Sequence, residues 1–218
     1  MPDVTSIPAV ALHDGVEIPQ LGFGVFQVPP AETQQVVEEA LAAGYRHIDT
    51  AAAYRNEAGV GEAIAATGLA RDEVFVTTKL WNSEQGYDST LSAFEQSLER
   101  LGLEHVDLYL IHWPVPSEDR YLDTWRAFEK IHAEGRARSI GVSNFRVEDL
   151  ERLEAEAERL PTVNQIDSIP VSSRPGCAPG TPSTTSPPRP GAHSPRAPCS
   201  TTTRSRRSPP TARRRRPR

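Results

Sequence analysis

The strongest constraint on how this chain can fold is a repeating alternation. "VDLYLIH" (106–112) is a short, nearly continuous apolar run, and "VFVTTKL" (74–80) and "ARSIGVSNF" (137–145) are short strand-like segments of the same kind with polar residues toward their ends. Each is followed by a longer stretch whose apolar residues recur every three or four positions. A strand that is apolar at successive positions has no face to give to water, so it must be covered on both sides, and the amphipathic stretches are the cover. Repetition of that unit implies an α/β protein built on a parallel sheet.

The same alternation runs through residues 1–167. "AVALHDGVEI" gives two short strands around His13-Asp14-Gly15, a hairpin turn. "LGFGVFQV" (21–28) reads as a strand, and Pro30 opens a helix with Val36, Val37, Ala40 and Leu41 on one face, stopped at Gly44. Strand "YRHID" and helix 57–67 follow, then strand 74–80 and a helix striped by Leu91, Phe94, Leu98 and Leu101. Strand 106–112 leads to a helix striped by Leu122, Trp125, Phe128 and Ile131, a core-packing pattern. Strand 137–145, a charged helix over 147–160 and strand "TVNQI" (162–166) complete six strands with five intervening helices.

Two architectures fit such a chain, an open doubly wound sheet and a closed (β/α)8 TIM barrel. "GFGVFQ" lacks the third glycine of a dinucleotide-binding turn and lies within a strand, which disfavours the first. Asp49, Lys79, His112 and Ser143-Asn144 each fall at the C-terminal end of a different strand. That is the end where barrel enzymes assemble their sites.

Charge divides the chain where the alternation stops. Residues 1–167 hold 13 Lys and Arg against 29 Asp and Glu, whereas residues 168–218 hold 11 Arg and no acid. That second segment also carries 12 of the 20 prolines, no aromatic residue, and no aliphatic residue larger than alanine beyond Ile169 and Val171. Such a composition buries too little apolar surface to offset chain entropy, so 168–218 is expected to be a disordered tail. Three readings of it stand open: a basic arm attracted to polyanions through "RSRR" and "RRRR", a Pro-rich interaction linker, or the translation of a shifted reading frame. The abrupt change inside a structural unit favours the last. Both cysteines, Cys177 and Cys199, lie in this segment, so residues 1–167 offer no disulfide framework and no cysteine nucleophile. The N-terminus lacks a basic region followed by a long apolar run, and no 18-residue apolar stretch occurs. A cytoplasmic protein that enters no membrane is the expectation, with no metal site and no specific nucleic-acid binding.

"LGFGVFQ", "GYRHIDTAAAYRNE", "TTKLWN", "DLYLIHWP", "SIGVSNF" and "VNQID" together resemble, in order, the aldo-keto reductases, in particular their bacterial 2,5-diketogluconate reductase and xylose reductase type members. The resemblance covers residues 8–167. It implies a (β/α)8 barrel with an N-terminal β-hairpin, of which six strands are recognisable here, and a monomer that reduces aldehydes or ketones to alcohols with NADPH. It implies Tyr54 as general acid, with Lys79 as the cation that lowers the phenol's pKa from about 10. Asp49 would hold that lysine charged, and a neutral His112 would align the carbonyl. It assigns Ser143, Asn144 and Gln165 to the nicotinamide amide, Gly24, Val25 and Thr50 to the nicotinamide ribose region, and Phe26, Trp81 and Trp113 to the wall around a small carbonyl substrate. In such a barrel a seventh and an eighth strand follow, with loops that grip the pyrophosphate and the adenosine phosphate, and nothing after "VNQI" is recognisable as these. An inactive chain and a non-catalytic cofactor-sensing protein therefore stand beside the active enzyme as expectations. A Schiff-base lysine at Lys79 is the chemical rival, and it leaves Tyr54, Ser143, Asn144 and Gln165 without a joint purpose. His47 and His105 read as structural or exposed.

Overall fold

The computed structural model describes residues 7–166. The expectations about 168–218 lie outside those residues. A two-stranded antiparallel hairpin comes first, β1 (Ala9–Ala11) and β2 (Glu17–Pro19), closed by Asp14 Oδ1, which accepts from the Val16 amide at 3.1 Å. Then follow β3 (Phe23–Gly24), α1 (Pro30–Ala42), β4 (His47–Asp49), α2 (Glu57–Ala66), β5 (Phe75–Leu80), α3 (Tyr87–Leu101), β6 (Val106–Ile111), α4 (Tyr121–Ala133), β7 (Ala137–Ser143), α5 (Val147–Glu156) and β8 (Asn164–Gln165). The six strands β3 to β8 form one sheet in sequence order, every pair parallel, the arrangement of a barrel wall.

The helices cover the outer face of this sheet, where Val76, Leu80, Tyr109, Ile111, Ile140 and Val142 meet Phe94, Leu98, Trp125, Phe128 and Ile131 in one buried cluster. On β6, Leu108 and Leu110 face the other way, as strand alternation requires. With Phe75 they form a smaller cluster that Val16 and Ile18 of the hairpin region pack against. The hairpin thus covers the inner face near the strand starts and leaves the strand ends to the polar residues. Asp14 joins the two by accepting from the Ser139 hydroxyl at 2.6 Å.

Several segments are shorter than their sequence patterns, among them the strand over 45–49, which pairs only at His47–Asp49, and the strand over 137–145, which ends at Ser143. The strand expected over 21–28 pairs only at Phe23–Gly24, because Gln27 takes φ 65° and the Val28 amide turns back to the Val25 carbonyl. The helix expected to 160 ends at Glu156, where Ala157 is extended. Glu129 on α4 accepts from the Glu158 and Arg159 amides, and Trp125 Nε1 donates to the Arg159 carbonyl at 2.9 Å, so the chain is drawn off the helix axis. The last strand pairs only at Asn164–Gln165. Gly102 (φ 64°) and Gly135 (φ 73°) end α3 and α4 in the left-handed conformation that glycine adopts freely.

Candidate active site

Beyond the C-terminal ends of β4 to β8 the structure brings together most of the residues expected there. A cavity of about 980 Å3 is lined by Asp49, Tyr54, Lys79 and His112, by Phe26, Trp81 and Trp113, and by Ser143, Asn144 and Gln165. Gly24, Val25 and Thr50 do not line it. Val25 and Thr50 are fully buried, and Gly24 is exposed at the end of β3.

Lys79 is the centre of the arrangement. Its side chain is only 2% exposed, and a lysine so placed must be paired. Nζ donates to Asp49 Oδ1 at 2.5 Å and to the Thr50 carbonyl at 3.0 Å, so two consecutive residues at the end of β4 fix the ammonium. The same Nζ lies 5.3 Å from the centroid of the Tyr54 ring. Tyr54 sits in a single turn of 3-10 helix, Ala52–Tyr54, between β4 and α2, so it is carried by a short, hydrogen-bonded element rather than by open loop. The His112 ring stands edge-on to Tyr54 at 5.8 Å and to Trp81 at 5.3 Å, which puts imidazole and phenol on one side of the cavity mouth. Phe26 tilts against Tyr54 at 5.1 Å and is 65% exposed, with Trp81 and Trp113 also half open to solvent. These three rings make an apolar rim.

A second polar row lies on β7 and β8. Gln165 Nε2 donates to Asp49 Oδ2 at 3.0 Å, so Asp49 is shared between the lysine and this amide. Asn144 Nδ2 donates to the His112 carbonyl and to Ser143 Oγ, both at 3.0 Å, and the Ser143 hydroxyl donates to the Gln165 carbonyl at 2.9 Å. Asn144 takes φ 62°, a left-handed conformation asparagine tolerates better than most residues. Asn164 holds the turn in place by bonding both the amide and the carbonyl of Phe145.

Tyr109, the other tyrosine of the lining, is unsuited to proton donation. Burial first, and then the charge of Glu57, push its pKa well above the usual value.

Three polar residues escape the sequence reading: Asn56, Glu57 and Thr78. Asn56 is buried, its Oδ1 accepts from the Thr50 hydroxyl at 2.8 Å, and its Nδ2 donates to the Val25 and Val28 carbonyls. It thereby ties the Tyr54 segment to the turn after β3. Glu57 accepts from the Thr78 hydroxyl at 2.6 Å and from Arg100 Nε at 2.7 Å. A signal for Glu57 is present in the sequence: Glu57, Val60 and Ile64 share helical spacing, so the acid begins the buried stripe of α2. Thr78 and Asn56 carry no comparable mark.

Among the described residues no helix is long and apolar enough to cross a membrane, and no group of three or more His, Cys, Asp or Glu side chains is arranged to hold a metal ion.

Comparison with known proteins bears on this geometry. The chain is 55% identical over 162 residues to a glyoxal reductase of Bacillus subtilis (strain 168), covering 74% of this chain and 58% of that one. A crystal structure of an aldo/keto reductase from Brucella melitensis matches with a TM-score of 0.73 and 60% identity, over 74% of this chain and 63% of the other. The Bombyx mori aldo-keto reductase crystallised in complex with NADP matches with a TM-score of 0.71 and 41% identity, over 75% of this chain and 59% of the other. The chain spans 58–60% of the length of the first curated relatives it matches. The model of the aldo/keto reductase family matches residues 20–175, and the chain belongs to that family.

Proposed function

We propose that the cavity at the ends of β4 to β8 reduces a small aldehyde or ketone to its alcohol, using NADPH. The observation that carries this reading is the buried ammonium of Lys79, held by Asp49 and 5.3 Å from the Tyr54 ring. NADPH held in this cavity would supply the hydride for the carbonyl carbon. Tyr54 donates the proton that the carbonyl oxygen needs, and the positive charge of Lys79 stabilises the phenolate left behind. Asp49 keeps the lysine charged and oriented. His112, edge-on to both Tyr54 and Trp81, orients the carbonyl oxygen toward the phenol. The aromatic rim of Phe26, Trp81 and Trp113 excludes water around the carbonyl carbon.

The polar row fits a nicotinamide. The amide nitrogens of Asn144 and Gln165 are committed to protein acceptors, so their amide oxygens serve as acceptors for a carboxamide N–H. Ser143, Asn144 and Gln165 would hold that end, while Gly24, Val25 and Thr50, which do not line the cavity, would bear on the ribose only through the segment that Asn56 pins. The NADP complex of the silkworm relative and the glyoxal reductase of Bacillus subtilis support NADPH as cofactor and a small dicarbonyl as substrate. A cytoplasmic monomer belongs to the same reading, as does a catalytic unit within residues 1–167 followed by a separate segment, 168–218.

The test uses the purified full chain with NADPH and glyoxal, following NADPH absorbance for turnover and NADPH fluorescence for binding. Turnover by the wild type is expected. Tyr54→Phe should retain NADPH binding while kcat falls about a hundredfold to ten-thousandfold, the range for losing a general acid. Undiminished turnover in Tyr54→Phe would remove Tyr54 from the chemistry. NADPH binding without turnover by the wild type would favour a cofactor-sensing protein.

A further inference from the structure

Residues close in sequence to Tyr54 and Lys79 meet each other on the far side of β5. Consecutive strand residues point to opposite faces of a sheet. Lys79 therefore meets Asp49 on the cavity side of β5, and Thr78 is buried on the helix side. There the Thr78 hydroxyl meets Glu57, the first residue of α2 and three residues after Tyr54, at 2.6 Å. Arg100 of α3 completes the site from the other side at 2.7 Å, and the Glu57 side chain is wholly buried.

A buried carboxylate is costly unless its oxygens are met by donors. Here one oxygen is met from β5 and the other from α3. The connection from Glu57 back to the phenol has little slack, since Arg55 is locked at φ 59° and Asn56 makes three side-chain hydrogen bonds. The anchor on β5 is the immediate neighbour of the cation that serves Tyr54. We infer that Glu57 is a positioning residue: by clamping the first turn of α2 to Thr78 it sets the distance between the Tyr54 phenol and the Lys79 ammonium. The inference rests on the carbonyl-reduction reading.

Thr78→Val keeps the side-chain shape and removes the hydroxyl, and Thr78→Ser keeps the hydroxyl. In the full chain, Thr78→Val should lower kcat about tenfold to a hundredfold with KM little changed, the order of effect for a misplacement of about 1 Å. Thr78→Ser should restore it. A readout independent of turnover is the titration of Tyr54 followed by the NMR resonance of its 13C-labelled ring, assigned with Tyr54→Phe. Its midpoint should rise toward that of a free phenol in Thr78→Val and stay near wild type in Thr78→Ser.

Loss of thermal stability with kcat and the Tyr54 titration unchanged would make the clamp merely structural and overturn the inference. Should Thr78→Val fail to fold, Glu57→Gln reads the same two quantities, and wild-type values for both would overturn it equally. A wild-type Tyr54 that titrates like a free phenol, without turnover, would instead sink the carbonyl-reduction reading and this inference with it.

Discussion

Lys79 has almost no solvent contact and is paired with Asp49, and in the proposed reading that single residue trades stability for chemistry. A buried ion pair gains little net stability, because the desolvation of both partners offsets their attraction, and apolar residues of similar volume would serve a core as well. The pair is therefore better explained by the Tyr54 ring beside it than by a need for cohesion. The nearby His47 shows the opposite treatment. Its ring is buried against Thr77 Oγ1 at 2.9 Å and edge-on to Phe75. Burial, the dominant cause, lowers its pKa below 6.5, with Lys79 acting in the same direction and Asp49 and Asp107 opposing. The folded state therefore refuses a proton that the unfolded chain accepts. The stability this represents is fully present above pH 6.5 and is lost as the pH falls below 6.5 toward the folded value. Urea midpoints measured at successive pH values should fall on acidification, and His47→Gln should make that fall shallower. It should not vanish, because His105 is shifted down too, first by burial and then by Arg71. An identical pH slope in wild type and variant would clear His47 of the effect.

At the scale of elements, the helices announce themselves in the sequence far better than the turns that aim the site. The stripes of α3 and α4 are visible because Phe94, Leu98, Trp125 and Phe128 recur at helical spacing, and each of these residues is buried. The true end of α5 is invisible to that reading, because it depends on Trp125 and Glu129 of another helix bonding the backbone at Glu158 and Arg159. Likewise β3 is shorter than its apolar run because Asn56, some thirty positions along, holds the Val25 and Val28 carbonyls in a turn. Local pattern reports burial, and it cannot report hydrogen bonds made across the fold. Close helix contact is similarly hidden. A Cβ added at Gly61 of α2 would stand 2.0 Å from the carbonyl oxygen of Leu101, which is backbone and cannot swing aside. Gly61→Ala should therefore destabilise the protein by about 1–3 kcal/mol, the usual cost of overpacking, despite alanine's better helix propensity. Chemical denaturation is the measurement, and a stabilised variant would show that α2 and α3 approach less closely than described. Because α2 carries Glu57, the same substitution should also lower kcat.

For the molecule as a whole, the sequence discloses the sheet and the residues at its strand ends because both rest on types and spacing. Asp49, Lys79 and His112 converge on one cavity, as their positions at successive strand ends imply, and Tyr54 joins them from the 3-10 turn after β4. The rows that would meet a dinucleotide are less evenly disclosed. Ser143, Asn144 and Gln165 lie together at the ends of β7 and β8, all on the nicotinamide side in the proposed reading. An ordinary dinucleotide site adds contacts to the pyrophosphate and the adenosine, and each tenfold in affinity corresponds to about 1.4 kcal/mol of such contact. Comparing the full chain's affinity for NADPH with that for reduced nicotinamide mononucleotide separates the two halves. If residues 1–167 carry the binding site and 168–218 is a separate segment, the two affinities should agree within about tenfold, since the shared nicotinamide end supplies most of the contact energy. A preference for NADPH of about a thousandfold, equivalent to roughly 4 kcal/mol, would show that the chain grips the adenosine end as well. Phosphate contacts of that strength weaken with added salt. A salt-sensitive thousandfold preference would therefore show that the chain meets the dinucleotide's phosphates with cations, of which Arg55 already lines the cavity, and would overturn the expectation that it lacks a grip on the adenosine end.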